Sequence, residues 1–469
     1  MASPRQHSFR HSGGPSPQDF DHFFPWACSQ LGVDATIIVF KGHQSQYHSV
    51  SGRESKSKPK GNPKPHVDSA TDLDDTSDEL SPILEKAMIL SIRPVYVQTI
   101  YDEYMELVQI KFLKNYYIPR AVMTVLALML PHHKTLSSIV FNSGVNAEVM
   151  YEISQFLPTS HITELCLDYT FVPEGNYYLL LNNEVLKHLS VAKCKINDDI
   201  VKYIAEKLTN PCPASKSLSA LNLSTNKITD IGVKYLAEML RSNRRLCYLN
   251  LADNMITDDG ANSIFDTMLE FTLTDKETFE RNKRLMTYLR DKADLIQKTL
   301  KELQSGDFDR KSAQRKKVVK QTLPTKKKTL DKDPSGTAAK SFPNVETHFF
   351  ERAELAAETM LGPFKDPFCL ESTVRRDDKL YCLGNNTLAY LNLAYNNITY
   401  SSLKKLCEVV TTQSVLGRKP KGLVNLRLEG NYLPKSCPEL SQIDKILKAE
   451  MPILKRNSEI SKRRTSTRR

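Results

Sequence analysis

The most constraining feature of this sequence is a pattern that occurs twice in succession between residues 218 and 256. Each copy reads Leu-x-x-Leu-x-Leu-x-x-Asn-x-Ile, first from Leu218 to Ile228 and then from Leu246 to Ile256. The alternation of apolar and polar residues predicts a short strand, and the Asn predicts a bend before a helix. A strand this short cannot bury its leucines alone, so neighbouring copies must stack into a parallel sheet.

This pattern is that of a leucine-rich repeat, and related strands precede and follow the two clear copies. They begin at Met105, Leu136, Ile162, Leu186, Leu218, Leu246, Leu388 and Leu423, where Met105, Val108 and Ile110 form a degenerate first strand. A period of about 28 residues leaves room for a full helix in each repeat, as in the ribonuclease-inhibitor class. The predicted fold is α/β: a leucine-rich repeat solenoid, or horseshoe, with a parallel concave sheet and outer helices, interrupted by a long, partly disordered insertion.

The side chain of the repeat Asn is expected to satisfy backbone groups that the bend leaves unpaired. The late repeats at 388 and 423 are too few to bury a core alone, so we expect them to fold back onto the repeat at 246. The composition along the chain predicts the following segments: a mostly disordered N-terminal region with a short capping or docking segment (1–92), repeats one to six (93–269), a charged helix (270–304), a basic disordered linker (305–345), a return segment (346–387), repeats seven and eight with a C-terminal cap (388–450), and a basic tail (451–469).

Apolar residues in the charged helix are spaced alternately three and four apart, which is the seam of a short coiled coil. These residues are Met286, Leu289, Ala293, Ile296, Leu300 and Leu303. One interpretation is a helix that pairs with another chain. The other is a helix that extends the preceding repeat and packs along its own solenoid, and the sequence leaves both open. A short helix and a hairpin turning at Asp377 and Asp378 are expected to return the chain to the sheet.

The net charge of +11 is concentrated in two segments. Residues 307–340 hold eleven Lys or Arg against four Asp, and residues 452–469 hold seven against one Glu. Such polycations attract polyanions, for example nucleic acid, anionic lipid or the acidic tails of cytoskeletal polymers. The candidate polyanion-binding residues are Arg315, Lys316, Lys317, Lys320, Lys326, Lys327, Lys328, Arg463 and Arg464.

The nine cysteines form no Cys-x-x-Cys pair, and several fall on core positions of the repeats. This usage indicates a reducing compartment. No stretch reaches the length of apolar residues that a membrane span needs, so we expect a soluble, cytoplasmic protein.

No phosphate-binding loop, metal-binding helix or nucleophile elbow occurs, so we expect no enzymatic activity, cofactor or metal. The only adjacent histidines, His132 and His133, lie in a connecting loop and are interpreted as surface residues.

The positions between and just after the strand leucines are predicted to face the concave side of the sheet. Tyr, Asn and Arg in such positions suit the binding of a protein partner. The alternative is that they only keep an exposed sheet soluble. The candidate protein-binding residues are Glu164, Asp168, Tyr169, His188, Lys193, Asn222, Tyr248, Asn250, Asp253, Tyr390, Asn392, Tyr395 and Arg427.

The chain also carries ELVQIKF, SALNLSTNKITDIGVKYLAEMLRSN, YLNLADNMITDDGA, GPFKDP, RRDDKLYCLGN, LNLAYNNIT and LVNLRLEGN, in that order around the basic insertion. In these segments, roughly between residues 90 and 440, it resembles the family of leucine-rich repeat-containing protein 71. The resemblance implies a non-enzymatic scaffold of the axoneme of motile cilia or flagella, with tubulin or axonemal proteins as partners. The alternative hypothesis is a nuclear or nucleic-acid-associated regulatory protein that uses the same basic segments.

Overall fold

The computed structural model describes residues 14–42, 94–304 and 345–449. The chain divides into two compact units, which we call the repeat unit and the insertion unit. The repeat unit contains the chain up to Phe271 and from Leu383 onward, and the insertion unit is Thr272–Cys382. The two basic segments and most of the N-terminal region expected to be disordered lie outside the described residues.

The repeat unit is built on one ten-stranded sheet of order β1-β2-β3-β4-β5-β6-β7-β8-β12-β13. From β3 to β13 all strands are parallel, and the central leucine of each short strand aligns with that of the next. This register confirms the predicted parallel sheet of stacked repeats. The strands are β1 (Ile37–Lys41), β2 (Val95–Tyr101), β3 (Leu107–Phe112), β4 (Ser138–Phe141), β5 (Glu164–Cys166), β6 (His188–Ser190), β7 (Ala220–Asn222), β8 (Tyr248–Asn250), β12 (Tyr390–Asn392) and β13 (Asn425–Arg427).

Helices of the repeat unit follow the strands and bury one apolar face against them. In the repeat after β6, Val201, Ile204 and Leu208 are buried while the intervening charged residues stay exposed. Burial of each such side chain stabilises the fold by about 1.5–3 kcal/mol. The strand leucines and the helices of successive repeats pack into one continuous core. The helices are α1 (Phe20–Gln30), α2 (Arg120–Met129), α3 (Ala147–Phe156), α4 (Asp198–Leu208), α5 (Ala214–Ser217), α6 (Asp230–Ser242), α7 (Asp258–Met268) and α10 (Tyr400–Leu416), with a C-terminal helix over 438–449.

The N-terminal edge of the sheet contains an apolar segment far from the repeats in sequence. Helix α1 buries Phe20 and Phe24, and β1 pairs in parallel with β2. The carboxylate of Asp21 accepts hydrogen bonds from the hydroxyls of Thr99 at 2.8 Å and Tyr101 at 2.9 Å, which fixes the helix to β2. Residues 20–41 therefore cover the edge strand that the first repeat leaves open.

Two expectations for this region were wrong. Met105 does not belong to a first strand: it is 67% exposed with φ 63° in the turn between β2 and β3, which pair antiparallel. His133 is not a surface residue, because α1 covers it: it is 8% exposed, its Nε2 lies 3.1 Å from the carbonyl oxygen of Pro17, and its ring packs edge-on against Phe20.

The late repeats rejoin the solenoid across the insertion, as expected. Strand β12 pairs in parallel with β8, with Leu391 opposite Leu249. The side-chain oxygen of Asn396 accepts hydrogen bonds from the backbone amides of Asn254 and Ile256, each at 3.2 Å, and its amide group donates to the carbonyl of Leu251 at 3.0 Å. Repeats distant in sequence thus share one sheet and one set of backbone hydrogen bonds.

The repeat Asn acts in the same way in the uninterrupted part of the solenoid. The Oδ1 of Asn226 accepts from the amides of Cys194 and Ile196 at 3.0 Å, and its Nδ2 donates to the carbonyl of Leu223 at 2.9 Å. Cys194 occupies the Asn position of its own repeat and is buried, with its thiol 3.1 Å from the carbonyl oxygen of Leu167. The predicted role of the Asn in the bend is confirmed.

A row of aspartates joins the N-termini of successive repeat helices. The carboxylate of Asp198 accepts from the backbone amide and hydroxyl of Thr229 in the next repeat at 2.9 and 2.6 Å. Asp230 and Asp258 repeat this arrangement with Thr257 and Thr399. Each Asp satisfies amides that a helix N-terminus leaves without an intrahelical partner, and it lies at the positive end of the helix dipole. We call these contacts the aspartate ladder.

The insertion unit is a helical hairpin followed by a β-hairpin. Helix α8 (Asp275–Gln304) packs along α9 (Val345–Leu361), and Lys292 Nζ lies 2.8 Å from Glu358 Oε1. Strand β9 (Phe271–Thr272) spans the point in the sequence where the repeat unit ends and the insertion unit begins. Strands β10 (Thr373–Arg376) and β11 (Lys379–Cys382) then pair antiparallel about a turn at Asp377 and Asp378.

The long helix has a partner that neither interpretation of the sequence included. Among the residues that the structure describes, α8 packs along α9 of the same chain, with Ala353 and Ala357 fully buried. Of its predicted coiled-coil seam, Met286 is 60% exposed and Leu289 47%. A coiled coil with another chain is therefore not shown.

Candidate functional site

The sheet of the repeat unit has one face turned away from the helices, which we call the open face. Side chains before and after each central leucine lie on it, because successive residues of a strand alternate between faces. Strand register arranges them in two rows. The first row is Gln109, Ser138, Glu164, His188, Ala220, Tyr248, Tyr390 and Asn425, and the second row is Lys111, Val140, Cys166, Ser190, Asn222, Asn250, Asn392 and Arg427.

An aromatic pair stands near the C-terminal end of the first row. The rings of Tyr248 and Tyr390 stack with centroids 4.2 Å apart and planes 8° from parallel. Both side chains are half-buried. The two tyrosines come from repeats on opposite sides of the insertion, and the strand pairing of β8 with β12 brings them together.

Polar side chains in the adjacent repeats are tied to one another. His188 Nδ1 lies 3.0 Å from Glu164 Oε1 across the β5–β6 pair. Asp168 accepts from the hydroxyl of Ser190 at 2.5 Å and from the backbone amide of Ala192 at 2.8 Å. These contacts fix the position of two carboxylates on the N-terminal half of the open face.

The second row presents hydrogen-bond donors. The Oδ1 of Asn250 accepts from the amide of Ala252 at 3.1 Å, and that of Asn392 accepts from Ala394 at 3.0 Å. The carbonyl oxygen of each side chain is therefore used by the backbone, and the Nδ2 group is left as the donor. Next to them, Arg427 forms an ion pair with Glu429 at 3.2 Å.

The residue before each Asn position has a left-handed backbone and borders the open face. Tyr169, Lys193, Asp253 and Tyr395 have φ between 55° and 65°. Their amides donate to the next repeat, as Tyr395 does to the carbonyl of Glu429 at 2.7 Å. Tyr169 and Tyr395 are 62% and 64% exposed, and Lys193 Nζ lies 4.9 Å from the centre of the Tyr169 ring.

All thirteen candidate protein-binding residues therefore lie on the open face or its border. The structure does not gather them into one compact group: Tyr248, Tyr390, Asn250, Asn392 and Arg427 adjoin, while the Glu164 to Lys193 set lies in earlier repeats. The candidate polyanion-binding residues lie outside the described residues.

Sequence reasoning missed the open-face residues of the earliest strands. Gln109 donates to the hydroxyl of Ser138 at 2.8 Å, and Lys111 is 8% exposed. Burial lowers the pKa of Lys111. The signal that could have found them is the polar residue at alternate positions of LVQIKF, which the degenerate repeat obscured.

The cysteines near this face are not activated nucleophiles. Burial raises the pKa of the Cys166 thiol, and the charge of Asp168 raises it further. Burial also raises the pKa of Cys194, to about 11. A thiol with a raised pKa stays protonated near neutral pH and reacts slowly. Within the described residues no group of His, Cys, Asp or Glu could hold a metal ion, and no helix there is long and apolar enough to span a bilayer.

A comparison with family models agrees with this architecture. The family model described as "Leucine Rich repeat" matches residues 182–205, 214–237, 242–265 and 384–407. Among solved structures, actin-binding site 2 of leiomodin-1 is 13% identical, with a TM-score of 0.28, and covers 61% of this chain and 91% of its own. An internalin (inlF) of Listeria monocytogenes is 12% identical, with a TM-score of 0.28, and covers 76% of this chain and 73% of its own. No curated protein matches the sequence.

The matched residues coincide with repeats four to seven of the solenoid, on both sides of the insertion. The TM-scores are too low to carry any argument about function. The repeats themselves are typical of non-enzymatic proteins that bind other proteins. The chain is therefore a leucine-rich repeat solenoid, and its repeats indicate a role in protein–protein interaction.

Proposed function

We propose that this protein is a non-enzymatic scaffold whose open face binds a protein partner. The observation that carries the proposal is the stacked pair of Tyr248 and Tyr390, half-buried and held in register on a rigid sheet. Aromatic anchors of this kind contribute much of the free energy of binding at interfaces.

The pair is preorganised for binding. Each ring already packs on its neighbour, and the β8–β12 hydrogen bonds fix both backbones. A partner that covers them loses little side-chain entropy in this protein on association, and that loss is a main cost of forming an interface. The adjoining Asn250, Asn392 and Arg427 would supply polar contacts around the aromatic centre.

We further propose that the basic segments hold the scaffold against an acidic surface, specifically the microtubule lattice of an axoneme. The support is the charge of residues 307–340 and 452–469 together with the resemblance to the family of leucine-rich repeat-containing protein 71. Lys and Arg clusters are attracted to acidic polymers, and the attraction weakens as salt is added.

Site-specific cross-linking tests the binding face. A photo-reactive phenylalanine replaces Tyr390 in the full chain expressed in ciliated cells, and a matched control carries it at Lys234, which is exposed on α6. The proposal predicts a discrete adduct for position 390 that is absent for position 234. No adduct at position 390, or the same adducts at both positions, would contradict binding on the open face.

Microtubule co-sedimentation across a salt series tests the basic segments. Deletion of residues 307–340 and 452–469 should abolish co-sedimentation at low salt and remove its salt dependence. A control variant that retains both segments and carries Tyr248→Ala should still co-sediment. Unchanged binding after the deletions would remove these segments from the mechanism.

A further inference from the structure

The second row of the open face has a polarity that restricts what can bind there. From β6 to β13 it contains Ser190, Asn222, Asn250, Asn392 and Arg427, which lie side by side on neighbouring strands. Strands in a sheet are about 4.8 Å apart, so these groups form a regular line across five repeats. We call this line the donor row.

The orientation of the asparagines in the donor row is set by the backbone. Because Oδ1 of Asn250 and of Asn392 accepts the amide two residues further on, Nδ2 is the group of each side chain that remains to donate. Asn222 has the same turn, with Oδ1 3.1 Å from the amide of Ser224, and its Nδ2 donates to Ser190 at 2.9 Å. Among the described residues, Nδ2 of Asn250 and of Asn392 has no acceptor.

Charge in the second row has one sign. Lys111 stands in the row at β3 and Arg427 at β13, and no carboxylate occupies any position between them. Three acids border the row. Asp168 accepts from the hydroxyl of Ser190 at 2.5 Å at the N-terminal end of the donor row, Glu164 in the first row contacts His188, and Glu429 forms an ion pair with Arg427. At the C-terminal end of the row, away from Asp168, the amide groups of Asn250 and Asn392 and the guanidinium of Arg427 favour a ligand rich in acceptors and negative charge.

We propose that the donor row binds a carboxylate-bearing segment of the partner, an acidic peptide whose Asp or Glu side chains accept from Asn250, Asn392 and Arg427 beside the stacked tyrosines. This rests on the proposed function and adds the chemistry of the partner. The paired amide groups lie on adjacent strands, so one extended segment can reach both and Arg427 together.

An isosteric substitution separates this role from folding. The double variant Asn250→Asp with Asn392→Asp keeps the Oδ1 atoms that accept from the amides of Ala252 and Ala394. It replaces each Nδ2 donor with a second carboxylate oxygen. Asn397→Asp is the matched control, since Asn397 is exposed beyond the bend and not in the donor row. Arg427→Gln serves as an independent variant if the double variant fails to fold.

The test is fluorescence anisotropy with the full chain and a labelled synthetic peptide of alternating Glu and Tyr. We expect the peptide to bind the wild type and the Asn397→Asp control, and a peptide with Gln in place of Glu to bind at least tenfold more weakly. The double variant and Arg427→Gln should each weaken the Glu peptide at least tenfold, a loss of about 1.4 kcal/mol.

Several outcomes would overturn the proposal. They are no binding of the Glu peptide by the wild type, equal binding of the Gln peptide, or equal or tighter binding by the double variant. An adduct at position 390 combined with any of these results would leave the scaffold function standing and reject the acidic ligand. Absence of that adduct would reject the scaffold function itself.

Discussion

The substitution Asp258→Asn tests the contact that joins the repeats across the insertion. The carboxylate accepts from the amide and hydroxyl of Thr399 at 3.0 and 2.5 Å, and from the amide of Ser402 at 3.3 Å and the Ser402 hydroxyl. An Asn keeps one acceptor oxygen and turns an NH2 group toward donors on the other side. Three of the four hydrogen bonds go to Oδ1 and one, from the Thr399 hydroxyl, goes to Oδ2, so an Asn that keeps its oxygen at Oδ1 loses that one, and the negative charge at the N-terminus of α7 is removed.

The expected cost follows from the strength of charged hydrogen bonds. Removing such a bond costs about 1.5–3 kcal/mol where the site is buried. Asp258 is only half-buried, so solvent reduces the effect, and we expect the free energy of unfolding to fall by about 1–2 kcal/mol. Asp259→Asn is the control, because that side chain is exposed at the same helix N-terminus and affects only the helix dipole, by about 0.3–1 kcal/mol.

The loss of stability in Asp258→Asn should be larger near the substitution than elsewhere in the solenoid. In a solenoid each repeat contacts mainly its neighbours, and the repeats after the insertion return through a long connection whose closure costs entropy. Asp258→Asn should therefore accelerate hydrogen exchange in β12 and α10 more than in β7 and α6. Urea unfolding and exchange mass spectrometry measure both effects. Equal stability of Asp258→Asn and Asp259→Asn, or uniform exchange along the solenoid, would refute the reasoning.

Lowering the pH should remove the stabilisation that the Asp258 carboxylate contributes. Burial acts to raise the pKa of Asp258, but hydrogen bonds from Ser402 and Thr399 outweigh it, and the pKa lies below its ordinary value. A carboxyl whose pKa is lower in the folded state stabilises the fold above its unfolded pKa of about 3.9. That stabilisation is lost as pH falls through the folded pKa. The stability difference between wild type and Asp258→Asn should therefore be full at pH 6 and should shrink below about pH 4. A difference that stays constant down to pH 2.5 would contradict this role of the charge.

Three further results are expected. Gly232→Ala in α6 should lower the urea midpoint, because the new Cβ would lie 2.4 Å from Oδ1 of Asp198. This steric conflict should outweigh the helix propensity of Ala, which ordinarily favours Ala over Gly by about 0.8–1.0 kcal/mol. A raised midpoint would show that Asp198 can move aside at little cost. Tyr248→Ala should reduce the cross-linking yield at position 390 and lower stability by about 0.5–1.5 kcal/mol through loss of ring stacking, whereas an unchanged yield would exclude the pair as an anchor. Burial raises the pKa of Cys28 to about 12 and of Cys194 to about 11, so iodoacetamide at pH 8 should label both at least tenfold more slowly in the folded chain than in urea, as peptide mass spectrometry can measure.

The repeat pattern carried most of the fold because it specifies geometry directly. Leucine spacing sets which strand face is buried, and the Asn sets the bend, so the return of Leu388 and Leu391 to the sheet followed from the same pattern. The positions of Tyr248 and Tyr390 on the open face followed too, since register is fixed when one face of a strand is buried.

The parts that the sequence did not predict depend on contacts without a period. The first expected strand exists as β3 with Val108 and Ile110, but Met105 lies in the turn that joins β3 to its antiparallel partner β2, and that turn has no Gly or Asn signal. The partner of α8 could not be identified, since a three-and-four spacing shows that a helix has an apolar face but not what covers it. The repeat pattern also did not show that Nδ2 of Asn250 remains to donate, because this depends on the hydrogen bond that its Oδ1 accepts from the amide of Ala252.

The aspartate ladder runs in one direction along the solenoid, from each repeat to the next, and it ends at α10. Each Asp accepts hydrogen bonds from the N-terminus of the next repeat helix, so continuing the ladder beyond α10 needs an acid directly after Thr399, the residue that precedes α10. Tyr400 occupies that place in α10, and its hydroxyl donates instead to Glu439 of the C-terminal helix at 2.8 Å. In an engineered chain with extra consensus repeats appended after α10, the first added helix would therefore lack the Asp–Thr contact unless Tyr400→Asp supplied the carboxylate. Repeats inserted before α10 would have that contact from the existing aspartates.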